Sequence, residues 1–73
     1  MKNCLKVERA KLSITQQELS EAIGVSRQTI NSIESDKYVP STLLALKLSR
    51  VFGKTVNELF ELENDEEVDW KGV

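Results

Sequence analysis

Thr15-Gln16-Gln17-Glu18-Leu19-Ser20-Glu21-Ala22-Ile23-Gly24-Val25-Ser26-Arg27-Gln28-Thr29-Ile30-Asn31-Ser32-Ile33-Glu34 decides the fold of this 73-residue chain. Thr15 and Glu18 form a Thr-x-x-Glu helix start. The Thr oxygen accepts the backbone N–H three residues on, and the Glu carboxylate reaches back to the Thr N–H. The spacing predicts a helix from there to about Ile23. Gly24 follows, a residue that turns left-handed without a Cβ clash. Ser26 then caps a further helix over about Arg27 to Glu34. Leu19, Ile23, Val25, Ile30 and Ile33 are the positions such a pair buries, and Ser20 is small where the two helices approach.

Upstream, Leu5, Arg9 and Leu12 lie on related faces of a helix over about Leu5 to Lys11. Downstream, Ser35-Asp36-Lys37-Tyr38-Val39-Pro40 reads as a loop, and Pro40 and Ser41 open a helix that ends before Gly53. Its Leu43, Leu44, Leu46, Leu48, Val51 and Phe52 make a wide apolar stripe, which predicts the central helix of the domain. Thr55-Val56-Asn57-Glu58 repeats the Thr-x-x-Glu start and predicts a short fifth helix through about Leu62. The expected fold is all-α: a compact five-helix domain over 1–62, then a short acidic tail over 63–73. Glu66-Glu67-Val68-Asp69-Trp70 has a weak helical pattern, so the tail is expected to pair as a strand.

A chain of this length holds one domain with a small core, which needs tight helix packing or a partner chain. Cys4 is the single cysteine and histidine is absent, so neither an internal disulfide nor a zinc site has its ligands. No metal, cofactor or small-molecule ligand is expected. Catalysis is not expected either: Cys4 has no base beside it, and no Gly-rich phosphate loop is present. The longest apolar run, Leu43 to Leu46, is too short for a membrane span, and the N-terminus lacks a signal-peptide pattern. A cytoplasmic protein with a reduced, apolar-filling Cys4 is the expectation.

The net charge of −2 is unevenly spread. Residues 1–54 carry nine Lys/Arg against five Asp/Glu, a net of +4, whereas residues 55–73 carry one Lys against seven Asp/Glu, a net of −6. A basic body can face phosphates while an acidic tail faces elsewhere or merely aids solubility. Two short helices crossing steeply leave one face of the second unburied. Here that face carries Arg27, Gln28, Asn31 and Ser32, at the N-terminal end of the helix. Arg bonds guanine at two atoms, and Gln or Asn does the same with adenine. These are the candidate base-reading residues.

Residues 5–62 resemble the lambda-repressor/Cro (Xre) class of helix-turn-helix regulators. The resemblance rests on Thr15-Gln16-Gln17-Glu18-Leu19, Gly24-Val25-Ser26-Arg27-Gln28-Thr29-Ile30, Ile33-Glu34, Lys37-Tyr38-Val39-Pro40-Ser41-Thr42-Leu43 and Leu46-Lys47-Leu48. Ser20 replaces the more usual Ala, and the tail after Leu62 lies outside the pattern. The resemblance implies a dimeric transcriptional repressor on a two-fold-related double-stranded DNA operator, with the helix over 27–34 in the major groove. It also implies phosphate contacts by Gln16, Ser26, Lys37 and the start of the fourth helix at Ser41. Gln16 would in addition brace the third helix, and Arg9 would pair with Glu34.

Val56, Leu59, Phe60 and Leu62 offer more apolar surface than a short terminal helix needs, and Trp70 sits oddly among acids. A homodimer interface built from Val56, Leu59, Phe60 and Trp70 is therefore expected. The competing reading is an antitoxin-like interaction module, in which the tail masks a partner protein.

Overall fold

A computed structural model describes residues 1–70. The chain opens with a short strand β1 (Lys2–Asn3) and continues through α1 (Leu5–Lys11), α2 (Gln16–Ile23), α3 (Arg27–Glu34), α4 (Thr42–Phe52) and α5 (Val56–Leu59). It ends with strand β2 (Phe60–Glu61) and a 3-10 turn over Asn64–Glu66. Caps set most of these boundaries. Thr15 and Thr55 each form a reciprocal capping box with Glu18 and Glu58, while Ser26 and Ser41 accept the backbone N–H groups of Thr29 and Leu44. Gly24 and Gly53 close α2 and α4 in the left-handed region, with φ of 76° and 63°. A Cβ at either position would meet nothing within 4 Å, so conformation and not space favours glycine there.

The five helices surround one core made of Leu5, Leu19, Ile23, Ile30, Ile33, Ala45, Leu48, Leu59 and Phe60. Val25, expected in that core, is half-buried against it. α4 contributes Ala45 and Leu48 fully, with Leu44, Val51 and Phe52 packed at the margin. Its apolar stripe is wider than the core can cover: Leu43 and Leu46 remain 62% and 57% exposed. Glu8 is buried beside Lys11 (3.0 Å) and Lys54 (3.3 Å), tying α1 to the α4–α5 connection. The hydrogen bond from Lys11, reinforced by Lys54, holds the Glu8 carboxyl below its usual range.

Two expectations about the C-terminal part need correction. The fifth helix ends at Leu59, not Leu62, because Phe60 is extended (φ −126°, ψ 146°) and turns its ring into the core. The strand lies at 60–61, not at 66–70, and its antiparallel partner is the N-terminus, with Lys2 opposite Glu61 and Asn3 opposite Phe60. A bond from the Cys4 N–H to the Leu59 carbonyl (3.0 Å) extends this pairing. The acidic tail is a separate turn followed by residues without regular structure through Trp70; positions 71–73 lie outside the described residues. Among the described residues no helix is long and apolar enough to cross a membrane.

Candidate nucleic-acid interface

α3 presents two chemically distinct faces. Ile30 and Ile33 are buried in the core. Arg27, Gln28 and Asn31 are exposed on the other side, within the first turns after the cap. The Ser26 oxygen accepts the Thr29 N–H at 3.1 Å, and the two hydroxyls lie 3.0 Å apart. The side chains of Arg27 and Gln28 make no hydrogen bond or ion pair with other described residues, so their donors and acceptors are available to a ligand. Ser32 differs from these three. It is half-buried, and its carbonyl accepts the N–H groups of Lys37 (2.9 Å) and Tyr38 (3.2 Å), folding the α3–α4 loop back onto the helix.

That loop carries Lys37 to the surface and delivers Ser41, the cap of α4, whose oxygen accepts the Leu44 N–H at 3.2 Å. Gln16, first residue of α2, lines a shallow cleft with Arg27, Gln28 and Asn31. Its Nε2 donates to Glu34 Oε1 at 3.1 Å and to Asn31 Oδ1 at 3.4 Å. Arg9 meets Glu34 in a two-pronged ion pair, Nε to Oε2 at 2.8 Å and Nη2 to Oε1 at 3.2 Å. Its Nη1 donates to the Ile14 carbonyl at 3.0 Å. The Glu34 side chain is 5% exposed, so the end of α3 is pinned to α1 by a largely desolvated pair.

The residues considered for a dimer interface are scattered. Leu59 (1% exposed) and Phe60 (8%) belong to the chain's own core, Val56 is half-buried, and Trp70 is open to solvent. Val39 (60% exposed) and Leu46 rim a shallow apolar groove floored by Ala45, Val56 and Phe60. Asn3 was not singled out from the sequence, yet it fixes the far end of α3. Its Nδ2 donates to the Ile33 carbonyl (2.8 Å) and to Asp36 (2.7 Å), and its Oδ1 accepts the Leu5 N–H (3.0 Å). An Asn two positions before a helix is an ordinary capping signal; nothing local says that it also reaches thirty residues along the chain.

Residues 5–59 match the Helix-turn-helix family. The chain is 48% identical over 66 residues to an uncharacterized HTH-type transcriptional regulator of Methanocaldococcus jannaschii, covering 90% of this chain and all of that one. It is 45% identical over 65 residues to the uncharacterized HTH-type transcriptional regulator YgzD of Bacillus subtilis, covering 89% and 98% of the two. A similar regulator of Archaeoglobus fulgidus shares 41% identity over 66 residues, 90% of this chain and 93% of its own.

Proposed function

We propose that this chain, which belongs to the helix-turn-helix family, is a sequence-specific transcriptional repressor that binds double-stranded DNA as a homodimer and reads the major groove with α3. The observation that carries this reading is the free polar face of α3. Arg27, Gln28 and Asn31 stand exposed at the start of a rigid, capped helix whose other face is locked into the core. A helix so placed fits the major groove N-terminal end first. Arg27 would bond guanine, and Gln28 would bond adenine through both amide atoms. Ser32, half-buried, would add at most an edge contact.

Phosphate contacts would flank this face and set its register. Lys37 supplies charge, and the capped N-termini of α3 and α4, at Ser26 and Ser41, aim backbone N–H groups outward as helix starts do toward anions. Both side-chain N–H groups of Gln16 are already engaged. Its contact with phosphate would therefore pass through its backbone N–H, the first of α2.

For self-association the exposed Val39, Leu43 and Leu46 and the groove beside them favour this side of the molecule over Leu59 and Phe60, which the core already covers. A dimer spanning one turn of DNA represses by occupying the site and needs no further surface. Exposed Val68 and Trp70 favour a second reading, an antitoxin-like module masking a partner protein. Stoichiometric capture of such a partner, without selective DNA binding, would support it.

The test of the DNA reading is selection from a random duplex pool, followed by titration at increasing salt. One enriched sequence is expected, made of two-fold-related half-sites about 34 Å apart, one helical turn. Affinity for it should fall log-linearly with salt as phosphate counterions are displaced. Failure to enrich any sequence would overturn the proposal.

A further inference from the structure

The hydrogen bonds around Gln16 connect the Arg9–Glu34 ion pair to the exposed face of α3, and chemistry forces their direction. Arg offers only donors, and an ionised Glu only acceptors. The Gln16 amide atom 3.1 Å from Glu34 Oε1 must therefore be the NH2 nitrogen. The second hydrogen on that nitrogen points at Asn31, 3.4 Å away, which must answer with its oxygen. A lone Asn amide presents its oxygen or its NH2 with equal ease; this one has its oxygen turned back toward α2. Its NH2 has no partner among the described residues and is the group left for a ligand.

From this, and resting on the reading of α3 as the groove-facing helix, we infer that the Arg9–Glu34–Gln16 chain fixes Asn31 as a hydrogen-bond donor, so that Asn31 selects guanine. Guanine offers two adjacent acceptors, O6 and N7, on its major-groove edge. The alternative for an Asn is adenine, where Oδ1 must accept from N6 while Nδ2 donates to N7. That pairing requires turning Oδ1 away from Gln16, which strands a Gln16 N–H beside the ion pair. Gln16 is thus a positioning residue: it sets which base Asn31 accepts without touching that base.

The test compares sequences selected from a random duplex pool by the wild-type protein, Asn31→Ala and Gln16→Ala. The wild type should enrich guanine at one position per half-site that Asn31→Ala leaves unspecified, with a several-fold preference over adenine, whose N6 amino group stands where guanine offers the O6 acceptor. Gln16→Ala frees the amide, and adenine should rise at that position to near parity with guanine while the other positions hold. Replacing that guanine by 7-deazaguanine, which lacks the N7 acceptor, should weaken the wild type several-fold and leave Asn31→Ala unaffected; this arm needs no Gln16 variant. Adenine at the Asn31-dependent position, an Asn31→Ala selection identical to the wild type, or indifference to 7-deazaguanine would overturn the inference while leaving α3 a DNA reader. Enrichment of no sequence at all would remove both.

Discussion

Arg9→Ala is expected to destabilise the fold by about 3–5 kcal/mol, the range for breaking a buried ion pair by removing one partner. The Arg9 side chain is 16% exposed and Glu34 5%, so both charges, Glu34 above all, are largely withdrawn from water. Loss of the guanidinium leaves the Glu34 carboxylate with only the neutral Gln16 amide and deprives the Ile14 carbonyl of its donor. For a domain whose whole stability is of the order of 5–15 kcal/mol, that is a large share. Each kcal/mol shifts the melting temperature of a domain this small by roughly 4–8 °C. Thermal melting of Arg9→Ala, Glu34→Ala and the double variant gives the coupling. The double variant should lose less than the sum of the two, because removing both partners leaves no stranded charge. Additive losses would show that the pair does not act as a unit.

Leu46→Asp is expected to convert a dimer to a monomer and to lower operator affinity by about 10²–10⁴-fold, the gain that linking two reading heads confers. Leu46 is 57% exposed in the single chain, so a carboxylate there leaves the core intact while placing charge on the apolar rim. Phe60→Asp differs in kind. Its ring is 8% exposed within the core, and the variant should unfold as well as dissociate. Sedimentation at micromolar concentration, at low and high salt, reads both. Association through apolar surface should persist at high salt, whereas DNA binding should weaken steeply. A wild-type monomer, or a dimer indifferent to Leu46→Asp, would remove this interface.

The contrast between these two sites separates what is legible in the sequence from what only the fold determines. Helix starts and stops are local chemistry. Thr15 with Glu18, Ser26 with the Thr29 N–H, and Gly24 in the left-handed region each need only their own few neighbours, and each lies at the boundary the sequence marks. The exposed face of α3 follows from the same logic, since Ile30 and Ile33 fix the opposite side. What was not legible depends on segments far apart in the chain. The end of α5 is set by Phe60 pairing with Asn3 across almost the whole sequence. The exposure of Leu43 and Leu46 depends on how much apolar surface the other helices can cover, which the stripe on α4 alone does not say. The orientation of the Asn31 amide arises from Gln16 and Glu34 together, and no single position carries it.

The central claim is that exposed side chains of α3 distinguish one DNA sequence from another. The most direct measurement is the affinity of the wild type, Arg27→Ala and Gln28→Ala for the selected duplex and for a scrambled duplex of equal composition, at one salt concentration. Each substitution should weaken binding to the selected duplex by about 1–3 kcal/mol, relax preference at one base pair, and leave affinity for the scrambled duplex nearly unchanged. Equal losses on both duplexes would make Arg27 and Gln28 backbone contacts only, and would contradict the assignment of sequence reading to α3.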